Sequence, residues 1–467
     1  MGVFKHLWEI YKENGCELTL HRTVASRLGS HVDAADATAV AAFMTEMEKY
    51  LSDVDMFLLM LSVGLGGMFE TESSFIGLLL REEVLQSRIV DLLLEKLSEV
   101  AAEADTESAS LERNLPKLIL RELRWIDHIN DARELVEKLI CALPAFPVEL
   151  QRDMIYILPE IASDADSHIV IDSLLELIRG EAQLVVCCIE ALGNFNVQTE
   201  QTNEVIECVL ARLDSSPIQD LPAIVKYLVQ EAPGADVELI AMSLREKLSA
   251  TLSFTASNHP TELHRRSTNG GSMDTDGPSG NEEALILNSI VQGCYFRDDL
   301  MKVFLNIIKK SSREDSPLKL LDVWVMIAGY SIPRDRVSVE KLVKQKAASM
   351  VLSRTLLIQS IVGHGNALKA FFSSLLQLGG LLLTQTTQYC RDLGSLFFEI
   401  VFEEFSLRSS DSSTESALYQ SEVRWAGCMG KELSVCARAC NSLLVARLSQ
   451  VFWGTACPRI KLSSILR

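Results

Sequence analysis

The sequence predicts an all-α chain, an α-solenoid of antiparallel helix pairs resembling HEAT or armadillo arrays, with one disordered linker. Two observations carry this. Hydrophobic residues make up 48% of the 467 residues while aromatics make up only 6%, so the apolar mass is Leu, Val, Ile and Ala, which suits helix-on-helix packing better than a β-sandwich. From about Ala35 onward the chain is also a succession of amphipathic segments of roughly 12–18 residues with the helical i, i+3, i+4, i+7 period. A chain this long exceeds one ordinary core, so a stack of helices or several domains is expected.

Taken in order, residues 1–34 form an N-terminal extension, and residues 35–255 a first helical solenoid. Within it, Leu111–Ile129 puts Leu111, Leu115, Leu118, Ile119, Trp125, Ile126 and Ile129 on one stripe with Glu122 as its charged member, while Arg113, Lys117, Arg121 and Arg124 lie off it. The pattern recurs over Glu149–Ile161, His168–Ile178, Glu204–Leu213, Leu221–Val229 and Val237–Leu248, with Pro222 near a helix start and Pro144 and Pro147 after a helix end. Helix pairs recur roughly every 35–45 residues without a written repeat consensus. Residues 256–283 are rich in Ser, Thr, Asn, Gly and Pro with almost nothing to bury, the composition of a disordered linker. Residues 284–405 form a second helical segment, and residues 406–467 an irregular tail in which the periodicity fails, as expected of a truncated product or a non-native reading frame.

Net charge of −19 and a pI near 5.0 give the whole chain no electrostatic footprint for nucleic acid or an anionic membrane, so any DNA contact is local or shared with a partner. The eleven cysteines include no C-x-x-C pair and read as reduced residues of a cytosolic or nuclear protein; Cys436 and Cys440, with Cys428 upstream, lack the ligand loops of a zinc site. The N-terminus is neither a secretory signal nor an anchor, and His6 stands where a myristoylation motif prefers Ser or Thr. The apolar run at 372–385 is broken by Ser, Gln and two glycines and falls short of the roughly 20 residues of a spanning helix.

Catalytic signatures are absent: there is no P-loop, no dinucleotide fingerprint, no nucleophile elbow and no H-E-x-x-H. The eight histidines lie far apart in sequence, and the acidic pairs Glu82–Glu83 and Glu403–Glu404 read as solvated helix faces. These features predict no enzyme, no cofactor and no metal. One residue stands out. After the turn marked by Pro333 and Asp335, Val339, Leu342, Val343 and Met350 form an apolar stripe, and at 100° per residue Lys346 falls between Leu342 and Val343 while Lys341 and Lys344 point to the polar side. An unpaired ammonium on such a face must snorkel, pair with an acid, or be covered by a partner part of the time.

Met44–Asp55, Val84–Leu97, Leu115–Ile129, Leu150–Ile161, Leu221–Leu228 and Leu244–Leu248, in that order and spacing, resemble the N-terminal third of the Fanconi anaemia group D-two family, over roughly Ala35 to Phe405. The resemblance implies a non-enzymatic nuclear scaffold of DNA interstrand-crosslink repair. It implies a heterodimer with the paralogous group I partner, a single ubiquitin added by the Fanconi ligase machinery and removed by a deubiquitinase, and a clamp on DNA formed through the complex, with no membrane role. Carried over by way of Leu320–Tyr330 and the helix that follows, it puts the ubiquitin acceptor at Lys346, with Lys341 and Lys344 as flanking basic contacts. The competing reading is a generic HEAT-repeat adaptor that binds protein partners without ubiquitin switching.

Overall fold

A computed structural model describes residues 2–14, 17–29, 36–62, 73–103, 114–126, 128–232, 236–258 and 279–407. Among these residues there are helices and no strands, as the sequence predicts. Contacts divide the chain into Met1–Cys208 and Val209–Arg467, so the division falls within a helix and not at the expected linker.

In the first unit α1 (Val3–Asn14) and α2 (Glu17–Arg27) lie within the N-terminal extension. Phe4, Trp8 and Tyr11 of α1 pack with Phe43 and Tyr50 of α3 (Ala37–Leu51) and with Phe75, which opens α5 (Phe75–Leu80). The extension is thus built into an aromatic core. Asp36 caps α3, and Asp53 caps α4 (Val54–Leu61), each accepting from two free amides of the first turn. The unit continues through α6 (Glu83–Glu103), α7 (Leu115–Arg124), α8 (Ala132–Ala142), α9 (Val148–Ile161), α10 (Ser167–Gly180) and α11 (Val185–Leu192). α7, α9 and α11 lie side by side in one layer, with α8 and α10 in a second, which is the two-layer stacking of a solenoid.

The boundaries correct the stripe read over Leu111–Ile129. The helix runs only from Leu115 to Arg124, capped by Asn114 with Pro116 in its first turn. Trp125 therefore leaves the helix and is 70% exposed. Glu122 stays on the buried face: its carboxylate accepts from Ser74 Oγ at 2.7 Å and from Arg121 Nε and a terminal guanidinium nitrogen at 3.2 and 2.7 Å. Ser74 also caps α5 by accepting from Gly77 N, so one hydroxyl ties the start of α5 to α7.

α12 (Thr199–Arg212) contains the division between the units. The second unit comprises α13 (Leu221–Lys226), which runs into a π-helical turn at Tyr227–Glu231, then α14 (Val237–Asn258), α15 (Ser279–Phe296), α16 (Asp298–Lys310), α17 (Leu320–Ser331), α18 (Arg336–Ala348), α19 (Arg354–Ile361), α20 (Gly365–Leu368), α21 (Phe372–Leu383) and α22 (Gln388–Leu407). Both flanks of the expected linker, 256–258 and 279–283, are helical; its centre, 259–278, and the tail 408–467 with Cys428, Cys436 and Cys440 lie outside the described residues.

α17 is the axis of this unit. Every residue from Leu320 to Tyr330 is buried, the charged Asp322 in its first turn included, and the helix touches α14, α15, α16, α18, α19 and α21. α21 and α22 approach closely over glycine: a Cβ on Gly394 would sit 2.9 Å from Leu383 N and 3.1 Å from Gly379 O. The run that looked too short to span a membrane is longer than its sequence suggests. A 3₁₀ turn at Lys369–Phe371 joins α20 to α21, and Gly365–Leu383 becomes long and apolar enough by length and composition, with 56% of it buried inside the chain. Ser374 and Gly379 do not break it: both are buried, and Gly379 lies against Phe397 and Phe398 of α22.

Candidate functional site

Lys346 lies on the inner face of α18, as the helical wheel requires, but it neither snorkels nor faces outward. It is 4% exposed. Its Nζ donates to Lys309 O at 2.9 Å and to Ser311 O at 2.5 Å. These carbonyls close the C-terminal end of α16, where the backbone leaves acceptors without helical partners and the helix dipole favours a cation. Lys346 thus caps a neighbouring helix through space. Burial pushes its pKa below the ordinary lysine value, and the charge of Asp322 partly opposes that shift.

Below this cap lies a buried polar network. Asp322, in the first turn of α17, is 1% exposed, and Arg245 of α14 is 9% exposed. Arg245 Nε donates to both Asp322 carboxylate oxygens at 2.8 and 2.9 Å, and a terminal guanidinium nitrogen donates to Pro317 O at 2.8 Å. The same nitrogen reaches Ser311 Oγ at 3.4 Å. Lys319 N donates to Asp322 Oδ2 at 2.7 Å, and Leu321 N to Ser249 Oγ at 3.3 Å. Four helices and the loop 311–319 therefore meet in one cluster, with Ser311 bonded to both Arg245 and Lys346. The charges are paired and their acceptor sites filled, which is what a buried ion pair requires.

Lys341 is exposed and Lys344 half-buried, and neither forms an ion pair among the described residues. Met350, assigned to the apolar stripe, is instead 43% exposed and lies beyond the helix, with φ of 57°. The chain reverses there so that Val351 N and Leu352 N both donate to Lys346 O. The periodicity ended at α18 and could not foresee that turn.

Two histidine–carboxylate pairs escaped the sequence reading because 61 and 81 residues separate their members. His21 Nδ1 lies 3.0 Å from Glu82, which is buried; Glu82 is thus not on a solvated face, while its neighbour Glu83 is exposed. His364 Nδ1 lies 2.8 Å from Glu283 Oε2 in a buried setting, against the edge of the Trp324 ring. The side chains of Glu403 and Glu404 lie outside those described. Among the described residues no group of three or more His, Cys, Asp or Glu side chains is placed to hold a metal ion.

The profile of a family described as Fanconi anaemia protein FancD2 nuclease matches residues 19–423. Among curated relatives, the chain is 28% identical over 336 residues to the Fanconi anemia group D2 protein of Gallus gallus, covering 71% of this chain and 23% of that protein. It is 25% identical over 383 residues to the Rattus norvegicus homolog, covering 78% and 26%, and 26% identical over 342 residues to the Mus musculus homolog, covering 71% and 23%. The chain thus spans about a quarter of the length of these relatives, less than the third expected. The family match begins inside the N-terminal extension, runs through both compact units and includes the whole Arg245–Asp322–Lys346 cluster, so the chain belongs to the Fanconi anaemia FancD2 family.

Proposed function

We propose that this chain acts as a non-enzymatic helical scaffold in the Fanconi anaemia pathway of DNA interstrand-crosslink repair, in the nucleus. It pairs with the paralogous group I protein and reaches DNA through that pair and not through its own net-acidic surface. The observation that carries this reading is the family match over residues 19–423, through both stacked-helix units. Cells lacking the chain should become sensitive to a crosslinking agent and be rescued by it, and the group I paralogue should co-purify with it. Normal crosslink survival in the deletion would refute the reading.

The word nuclease in the family description gives a second reading a specific basis. Incubating the purified chain with branched and duplex DNA and Mg²⁺ or Mn²⁺ separates the two: the scaffold reading expects no cleavage beyond that of a mock purification.

Ubiquitin, its ligase machinery and a deubiquitinase remain partners in this proposal. For Lys346 itself the geometry favours the capping role, because an acceptor amine must reach the activated ubiquitin thioester and this amine is spent on Lys309 O and Ser311 O. Transfer to Lys346 therefore requires the α16–α18 contact to open. Peptide mapping of the conjugate made by the reconstituted ligase decides the point: a ubiquitin remnant on Lys346, lost in Lys346→Arg, supports the acceptor role, and a remnant elsewhere refutes it.

A further inference from the structure

Two of the chain's twelve prolines follow a serine, at Ser216-Pro217 and Ser316-Pro317. Only the second has a basic residue three positions after the serine: Ser316-Pro317-Leu318-Lys319 against Ser216-Pro217-Ile218-Gln219. We propose that Ser316, in the loop between α16 and α17, is a phosphorylation site for a proline-directed kinase that reads the +3 cation, and that the cations at the end of α16 receive the phosphate.

The loop presents the acceptor. Ser316 is half-buried, Pro317 is exposed, and Lys319 has extended backbone with φ of −108° and ψ of 169°. The Lys319 side chain is 25% exposed and its ammonium pairs with the 70%-exposed Glu246 side chain, from which a kinase carboxylate can take it. Ser316 O accepts from Ser312 N, which holds the loop closed, while the Ser316 hydroxyl makes no hydrogen bond among the described residues. The neighbouring serines are occupied: Ser311 is 4% exposed and its hydroxyl donates to Ile307 O, and Ser312 Oγ accepts from Asp315 N.

In the transfer the Ser316 oxygen attacks the γ-phosphorus of ATP, the bond from that phosphorus to the bridging oxygen breaks, ADP departs, and the hydroxyl proton passes to the kinase base. The product carries a charge of about −1.5 to −2. Glu314 and Asp315 oppose it. Lys309, Lys310 and Arg313, exposed and without a carboxylate partner among the described residues, favour it, as does Lys346, whose ammonium is bonded to Ser311 O. The Ser312–Ser316 backbone bond brings residue 316 back toward this group.

The test is incubation of the whole chain with ATP and a proline-directed kinase of +3-basic preference, followed by peptide mass spectrometry and hydrogen exchange. Phosphate is expected on Ser316 well before Ser216, to be lost in Ser316→Ala and kept in Ser316→Thr; Lys319→Ala should slow it roughly tenfold, the effect of about 1.4 kcal/mol on a rate. Phosphorylation should slow amide exchange across 311–319. No phosphate on Ser316, equal labelling of Ser216, or modification of a 309–322 peptide but not of the folded chain overturns the site. Faster exchange across the loop after modification overturns the role of the cations.

Discussion

Replacing Arg245 with Met removes the guanidinium and keeps most of the aliphatic stem. In the folded chain this leaves Asp322 1% exposed with one remaining donor, Lys319 N at 2.7 Å, and strips Oδ1 of its 2.8 Å bond. Pro317 O loses its donor at the same time. Removing one partner of a buried ion pair costs about 3–5 kcal/mol, most of it the penalty of a carboxylate that can neither pair nor hydrate. With an m-value of about 3 kcal/mol/M, the urea midpoint of the second unit should fall by about 1–1.7 M. The double variant Arg245→Met with Asp322→Leu removes both charges and should recover much of the loss, giving a coupling of at least about 2 kcal/mol in a double-mutant cycle. Urea unfolding read by circular dichroism, with amide exchange over 311–331 to localise the change, measures both. If the single variant loses less than about 1 kcal/mol, or the two substitutions simply add, the cluster is not a closed, desolvated network and the reasoning fails.

Three further outcomes follow from the same geometry. Lys346→Met should release the end of α16, raising amide exchange across 309–312, and the pH dependence of the stability difference has a defined sign. Because burial lowers the folded pKa below 10.5, the unfolded chain binds more protons between the two values, so wild type should gain on the Met variant as pH rises toward 10.5 and lose that gain as pH falls through the folded value; a flat difference in urea midpoint from pH 7 to 10 would remove the argument. Ser74→Ala deletes the cap on Gly77 N and the bond to Glu122, and thermal unfolding of the first unit should report a loss of about 1–2 kcal/mol. Gly394→Ala places a methyl 2.9 Å from Leu383 N, a backbone atom that cannot rotate away, so α21 and α22 must part at about 1–3 kcal/mol; an unchanged melting temperature would contradict the close approach.

The helical period was enough to give the all-α class and to find helices from about Ala35 onward, but not α1 and α2 within the N-terminal extension. Leu320–Tyr330, apolar but for Asp322, is buried all round, and the one charged residue on the α7 stripe, Glu122, is indeed on the buried face. What the period could not supply was the partner of each buried charge. Ser74 lies 48 residues from Glu122, Arg245 lies 77 from Asp322, and Glu283 lies 81 from His364. Such pairs are set by how helices stack, and stacking leaves no trace in the local pattern. Ends were misjudged for the opposite reason. Trp125 and Met350 continue an apolar stripe in sequence, but each stands where its helix has ended, Trp125 as the cap of α7 and Met350 past α18 with positive φ, and both are exposed.

The same limit explains why Lys346 looked like a residue waiting for a partner. A wheel projection places a lysine among Leu342 and Val343 and offers three escapes: water, an acid, or another protein. It omits a fourth, the carbonyl end of a helix packed alongside, because backbone acceptors do not appear in a side-chain pattern. Lys309 O and Ser311 O are that fourth partner. The consequence reaches past one residue. Ser311 is shared by the Lys346 cap and the Arg245–Asp322 pair, so whatever lifts the loop 311–319 weakens both at once, and this serine adds a polar link among the packed helices α14, α16, α17 and α18. In a stacked-helix scaffold each neighbour depends on the next, and a polar hub of this kind is where a local change in charge acts on several helices together.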